Sequence, residues 1–337
     1  MNYLPVCEDS LKKAAEILRA GGLVAFPTET VYGLGADAFN SKALAKVFEV
    51  KGRPHFDPLI IHIAAVESLE KAANLSLLNK KVQKRLFLLA ENLWPGPLSF
   101  ILPKNEKIPD LATAGLPTAA IRFPDNETAQ KVISLCGGAV AAPSANPFGS
   151  LSPTRAEHVR DKLGDKIDLI LDGGSTRIGL ESTVLDITGE CIKILRPGGT
   201  PKEAIERLIG QVEDISITAA GTALVSPGQL KSHYAPRTPL SVLSREDIIR
   251  QPYEKSAAYM FFDGSTRDVW LDAQKPPQSA VIKALSETGQ ALEAASRLFE
   301  TLHELDNGRI FHIFAQLAPP QGLGEAINDR LIRGSNI

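Results

Sequence analysis

The spacing of apolar positions along the chain divides its first two thirds into short strands and amphipathic helices. Apolar runs bounded by chain-breaking residues predict strands at Leu23–Phe26 (stopped by Pro27), Leu59–Ile63, Leu98–Leu102 and Ala119–Phe123 (ended by Pro124). Gly138–Ala142, Ile167–Leu171, Ser182–Ile187 and Ile192–Leu195 read the same way. Apolar residues at helical spacing predict helices over Leu11–Arg19, Lys42–Val50, Asn79–Leu93, Thr128–Leu135 and Glu157–Leu163, and from Pro201 to Ile209. In the second of these Leu44, Val47 and Phe48 form the buried stripe, Ser41 is the expected cap, and Gly52 with Pro54 forces the exit. Strands and helices mix without strict alternation, which predicts an α/β domain built on a mixed sheet.

Periodicity fades between about Gln211 and Arg237, which marks a linker. Beyond it come strands near Leu240–Leu243 and Ala257–Phe262 and a helix over Thr288–Leu305 with Leu292, Ala295, Leu298, Phe299, Leu302 and Leu305 on one face. A strand at Arg309–Ala315 and a helix at Glu325–Ile332 follow, as expected of a smaller Rossmann-like α/β unit. The expected limits are 1–210 for the first domain, 211–238 for the linker and 239–337 for the second domain.

Composition narrows the function classes. The chain has 337 residues and a formal net charge of -2, so no global field draws it to nucleic acid or membrane, and an anionic substrate must be held by local charge. Three scattered cysteines, Cys7, Cys136 and Cys191, make neither a disulfide framework nor a zinc site. No basic segment followed by an apolar run opens the chain, and no apolar run approaches the ~20 residues of a membrane span, so a cytoplasmic location is expected.

The candidate chemistry gathers at strand ends. Phe26-Pro-Thr-Glu-Thr-Val-Tyr-Gly-Leu-Gly35 places the hydroxyls of Thr28 and Thr30 in a turn closed by Gly33 and Gly35. Lys51 and Arg53 follow a helix, and His62 lies in the middle of an apolar strand. Further clusters are Thr118 with Arg122, Ala142-Pro-Ser144, Ser152-Pro-Thr154, Glu181-Ser-Thr183 and Leu195-Arg-Pro-Gly198. Singly, each reads as turn chemistry, a solvated helix end or a satisfied core histidine. Together they put many anion-reading groups in one loop layer, where arginine forks, hydroxyls and backbone N–H groups can hold carboxylate or phosphate. The P-loop, GxGxxG, HExxH and GxSxG signatures are absent.

These motifs, with Pro58-Leu59, Ala142-Pro-Ser-Ala-Asn146 and Glu181-Ser-Thr-Val184, resemble the YrdC-like family closely. Ser226-Pro-Gly228, His233-Tyr-Ala-Pro236 and Gly324-Glu-Ala-Ile-Asn-Asp-Arg-Leu331 are similar to the long-form threonylcarbamoyl-AMP synthases. The resemblance implies a twisted YrdC-like sheet joined to the smaller Rossmann-like domain, with the linker folded as a lid over a concave, basic face. It implies a nucleotidyl transfer: L-threonine, bicarbonate (or CO2) and ATP give L-threonylcarbamoyladenylate and pyrophosphate, for threonylcarbamoyladenosine modification of tRNA. Carried over by motif, Thr30, His62, Arg122, the Ala142 backbone and Ser182 hold threonine, and Arg122 pairs with its carboxylate. Arg53, Asp57, Thr118, Ser144, Ser152, Arg196 and Tyr234 hold ATP, with Lys51 and Arg53 facing the reacting phosphates. Asp57 stands where the family usually has Asn, and its charge would repel a triphosphate unless it helps to hold Mg2+ or turns away. In the linker segment Gln229-Leu-Lys-Ser232, only Lys231 supplies charge where some relatives are more basic. No acidic pair capable of fixing Mg2+ unaided is visible, so the metal is expected to travel with ATP. A downstream tRNA threonylcarbamoyltransferase complex is the implied partner; RNA contact is compatible but not required, and no membrane is involved.

Composition weighs against two rival readings. A non-enzymatic RNA-binding module would suit a basic face, but aromatic residues make up only 6% and no basic stripe with interleaved aromatics appears. Carbamoyl transfer for metallocluster maturation, where a YrdC-like domain also occurs, calls for cysteine-rich modules that three scattered cysteines do not supply.

Overall fold

A computed structural model describes residues 2–215 and 233–335. These divide into two compact units, one of residues 2–148, 153–177 and 181–215, the other of 149–152, 178–180 and 233–335. Of the expected linker, residues 216–232, including Ser226-Pro-Gly228 and Lys231, lie outside the described residues.

The first unit is organised by a mixed sheet of eleven strands among the described residues. In chain order they are β1 (Tyr3–Pro5), β2 (Val24–Phe26), β3 (Gly33–Asp37), β4 (Ile60–Ile63), β5 (Leu98–Pro103), β6 (Thr118–Arg122), β7 (Ala139–Ala141), β8 (Leu169–Asp172), β9 (Thr183–Asp186), β10 (Lys193–Arg196) and β11 (Glu213–Asp214). Their order in the sheet is β1-β8-β2-β3-β7-β4-β6-β5-β9-β10-β11. One face is sealed by a large apolar cluster that includes Ala25, Leu34, Ile61, Ile121, Phe100 and Leu185 with Leu44, Val47 and Phe48 from the helix Ser41–Lys51. On the opposite face the helices Glu8–Arg19 and Glu127–Cys136 cover Val24, Phe26, Val140 and Leu169. A second, smaller cluster there joins Ile60, Ile101, Ala120, Val184 and Leu195. Side chains alternate between faces along a strand, so His62 shares this second face with Ile60, and Arg122 shares it with Ala120. The site begins there.

Most expected elements are present, with informative differences. Gly33 and Gly35 do not close a turn; they lie in β3, antiparallel to β2 with Phe26 opposite Gly33 and Val24 opposite Gly35. A Cβ on Gly35 would stand 2.5 Å from the Phe26 ring, so glycine is demanded by packing and not by a left-handed backbone. Asn40, not Ser41, caps the following helix, its Oδ1 accepting from the N–H groups of Lys42 and Ala43.

The second unit carries four parallel strands, β12 (Leu240–Leu243), β13 (Ala257–Asp263), β14 (Val281–Ser286) and β15 (His312–Gln316), in the order β12-β15-β13-β14. This is the small open Rossmann-like sheet expected from the strand–helix alternation. The helix Gly264–Gln274 and the strand Val281–Ser286 escaped the sequence reading, and the helix expected from Thr288 starts at Ala291.

Candidate active site

Four neighbouring strands build the floor. Register places Val140 of β7, His62 of β4, Arg122 of β6 and Ser99 of β5 in one row across the sheet, and Val184 of β9 continues it. Polar residues in the middle of buried strands carry a desolvation cost, so each must find partners. His62 is 2% exposed, and its Nδ1 faces the Ile60 carbonyl at 3.3 Å. Burial, helped by the Arg122 charge, pushes the imidazole down to about 3, so the ring is neutral at physiological pH. The Ser99 hydroxyl lies 2.8 Å from that of Ser182 at the entrance to β9. Arg196 donates to the Ser182 carbonyl (Nη2, 2.8 Å) and to its hydroxyl (3.2 Å).

A register shift between Ile194 and Arg196 explains how Arg196 reaches this face. Ile194 pairs with Leu185 and Arg196 with Val184, so Leu195 is the extra residue of a bulge. Bulges re-aim side chains next to active sites. The chain then passes so close to the Ser182 backbone that a Cβ on Gly198 would lie 2.3 Å from the Glu181 carbonyl oxygen and 2.4 Å from the Ser182 carbonyl carbon. Only glycine fits there.

The loop between β2 and β3 supplies one wall. The Thr28 hydroxyl donates to the Val31 carbonyl at 2.7 Å, accepts from the N–H groups of Thr30 and Val31, and lies 2.7 Å from the Thr30 hydroxyl. That closed turn fixes Glu29, which the sequence reading passed over. Glu29 is 2% exposed and its Oε1 lies 2.7 Å from Arg122 Nη2. Arg122 Nε also donates to the Gly96 carbonyl at 3.3 Å. A glutamate inside a threonine-rich turn gave no sequence signal that its partner lay on a strand 93 positions away.

The other wall follows the helix Ser41–Lys51. Lys51 Nζ donates to the carbonyls of Ser144 and Asn146, both at 2.5 Å, and so ties the segment after Ala142 to the helix end. Burial first, then the nearby Arg53 charge, holds this amine well below the ordinary lysine range, with Asp57 opposing. Arg53 folds back across its own loop, Nε to the Asp57 carbonyl at 3.0 Å and Nη2 to the Pro58 carbonyl at 2.7 Å. Nη2 also pairs with Asp57 Oδ2 at 2.9 Å. Asp57 is fully buried; burial raises its carboxyl above the usual carboxylate range although Arg53, Lys51 and Arg196 pull it down. The Asp57 carboxylate is therefore engaged by Arg53. Among the described residues, no group of three His, Cys, Asp or Glu side chains is arranged to hold a metal ion.

Lys51, Arg53, Asp57, His62, Arg122, Ser144, Ser182 and Arg196 are thus brought together in the first unit, with Thr30 on the turn beside Glu29. Thr118 opens β6, four residues before Arg122, and the Ala142 N–H donates to the Ile60 carbonyl at 3.0 Å. Ser152 and Tyr234 belong to the second unit. There Tyr234 has a left-handed backbone (φ 63°), and its ring packs on His233, on Phe299 and under the Arg330 guanidinium 4.8 Å away. The Ser152 carbonyl lies 3.0 Å from His303 Nε2. The second unit also has a cleft of about 510 Å³ along the carboxyl ends of its strands. Asp263, Gln316 and Arg245 at that cleft are bonded to one another or to Thr266.

In chemical terms, the first unit gathers three buried guanidinium groups (Arg53, Arg122 and Arg196), the buried Lys51 amine and several hydroxyls, groups of the kind that can hold carboxylate or phosphate. The family model Sua5/YciO/YrdC, described as telomere recombination, matches residues 16–198, and the model described as threonylcarbamoyl-AMP synthase, C-terminal domain, matches residues 200–335. The chain is 41% identical over 332 residues to a threonylcarbamoyl-AMP synthase of Pyrococcus abyssi, covering 97% of this chain and 94% of that one. It is 38% identical over 336 residues to the Bacillus subtilis protein of the same name, covering 97% and 93%. A crystal structure of P. abyssi Sua5 complexed with L-threonine matches with a TM-score of 0.84 at 37% identity, over 99% of this chain and 96% of that one.

Proposed function

Since the chain belongs to the Sua5/YciO/YrdC family, with the threonylcarbamoyl-AMP synthase C-terminal domain attached, we propose that it is an L-threonylcarbamoyladenylate synthase. In reaction terms it is a nucleotidyltransferase: threonine, bicarbonate and ATP give threonylcarbamoyl-AMP and pyrophosphate, which supplies the modification of tRNA adenosine. The single observation that supports this most is full-length similarity to synthases in two organisms, combined with a buried cluster suited to one carboxylate and a polyphosphate.

The chemistry needs three things from the protein. Threonine must be held so that its amine, once carboxylated, presents a carbamate oxygen to the α-phosphorus of ATP. Arg122, His62, Thr30, Ser182 and the Ala142 backbone are the residues we assign to threonine. A neutral His62 can hydrogen-bond to the substrate without repelling its ammonium. The developing charge on the phosphates must be neutralised, a task we assign to Lys51, Arg53 and Arg196, with Thr118 and Ser144 as further ATP ligands. Ser152 and Tyr234, which belong to the second unit, are assigned to ATP from the motif resemblance alone. Phosphoryl chemistry of this kind asks mainly for positioning and charge stabilisation, not covalent help. Water must also be kept from the carbamate, and the burial of every basic group in the cluster serves that end. Asp57, neutralised by Arg53, orients that guanidinium. Mg2+ enters as part of the substrate MgATP, held by phosphates and water.

The product decides the reading. Incubation with ATP, Mg2+, threonine and isotopically labelled bicarbonate is expected to yield an adenylate whose mass carries threonine and the labelled carbon. Formation of threonyl-AMP without that carbon would refute the assignment.

A further inference from the structure

Glu29 is a buried carboxylate of the site that has no part in the roles assigned above. It is 2% exposed, and neither of its oxygens accepts a hydrogen bond among the described residues. Among the described residues its charge partner is Arg122, whose Nη2 lies 2.7 Å from Oε1. A buried carboxylate normally collects several donors, because an unbonded charged oxygen in a low-dielectric interior is costly. The turn made by Thr28 spends its donors internally and leaves Glu29 projecting towards the sheet face.

The pair matches a particular kind of ligand. An α-amino acid carries a carboxylate and an ammonium separated by one carbon, so a guanidinium and a carboxylate side by side are its charge complement. Taking the proposed function as given, Arg122 receives the threonine carboxylate, and the ammonium is then directed to the neighbouring anion. We propose that Glu29 is a catalytic residue that binds the threonine ammonium and accepts a proton from it, releasing the free amine that is carboxylated.

The proton balance is closed. Glu29 takes one proton from the ammonium, which leaves a neutral amine. The amine lone pair forms the N–C bond to bicarbonate, the C–OH bond breaks, and the departing hydroxide takes the second nitrogen proton to leave as water. The products are the carbamate and water, and Glu29 returns its proton to solvent. Among the described residues, the charged group in contact with Glu29 is Arg122 from β6, and the titratable group next to Arg122 in register is His62 from β4. His62, held near 3 by burial, does not change charge above neutral pH and cannot substitute as the base in that range.

The experiment compares full-length wild type with Glu29→Gln, following threonine- and bicarbonate-dependent pyrophosphate release from pH 6.5 to 9.5. A wild type without such release counts against the proposed function and not against Glu29. With an active wild type, Glu29→Gln is expected to be slower by about 100-fold at pH 7 and to recover about tenfold per pH unit as the substrate amine loses its own proton. A variant within threefold of wild type, or one equally slow at every pH, overturns the assignment. A second measurement needs no variant: binding of the threonine analogue with hydroxyl in place of the amine. Its affinity for wild type is expected to be at least about 100-fold weaker than that of threonine, because it leaves Glu29 without its cation. Equal affinity would overturn the assignment even if Glu29→Gln fails to fold.

Discussion

Single side chains in this site answer to two demands, burial and charge. His62 shows the first. Its folded pKa is about 3 against an unfolded value near 6.5, so between these values the unfolded chain binds a proton that the folded chain refuses. The His62 contribution is therefore intact above pH 6.5 and is lost progressively as pH falls towards 3. Between pH 6.5 and 5, wild type should lose about 1.6 kcal/mol of stability beyond the loss of a His62→Asn variant. Urea unfolding at the two pH values measures this, and parallel losses would contradict it. Arg122 shows the second demand. Replacing it with alanine strands Glu29 in the interior, at a cost of about 3–5 kcal/mol, and so confuses binding with folding. Arg122→Lys keeps a charge opposite Glu29 and loses only the planar fork. We expect it to raise the KM for threonine by at least about tenfold while the KM for ATP stays within about threefold. Equal rises would contradict the assignment of Arg122 to the threonine carboxylate. The membership of the cluster is legible in sequence, since Lys51, Arg53, His62, Arg122, Ser182 and Arg196 stand in its motifs and lie in one unit. Glu29 was missed because a carboxylate in a turn looks solvated until its strand partner is known.

At the scale of elements, the site depends on two departures from regular strand geometry. The bulge at Leu195 turns Arg196 onto the working face, and Gly198 lets the next turn lie against the Ser182 backbone. Gly198→Ala should destabilise the protein by about 1–3 kcal/mol or more and raise the KM for both substrates, because Ser182 and Arg196 move together. Gly189→Ala is the control: its Cβ would meet the Cys191 carbonyl oxygen at an ordinary 3.4 Å, and its effect should stay within about 0.5 kcal/mol. Thermal or urea unfolding with substrate titrations reads both; indistinguishable variants would remove the packing argument. Apolar runs announced most strands, because residues buried on both faces leave no polar interruption. β3 was not announced: Gly-Leu-Gly-Ala-Asp has low strand propensity, and its glycines serve close approach to Phe26 and Ala142. The helix Gly264–Gln274 was hidden for a different reason. Among its residues only Gly264, Thr266 and Trp270 are buried, so no apolar stripe appears, and its clearest signal is the Asp263 cap.

For the whole molecule, the division into a mixed-sheet unit and a parallel-sheet unit follows from the change in element pattern after residue 211. The grouping of 149–152 and 178–180 with the second unit does not. It reflects approaches such as Gly179, where an added Cβ would lie 2.5 Å from the Ala295 carbonyl oxygen, and the Ala235 N–H donating to the Gly149 carbonyl at 2.8 Å. No periodicity in a contiguous stretch encodes a partner some 85 to 115 positions away. Among the described residues no helix is long and apolar enough to cross a membrane. The central claim is that this architecture couples three substrates in one adenylyl transfer, and pyrophosphate release tests it most directly. Released pyrophosphate should be measured with ATP and Mg2+ present and threonine and bicarbonate each omitted in turn. Release that requires both is the predicted result. Release that ignores either one, or no release from folded protein in any combination, would contradict the account.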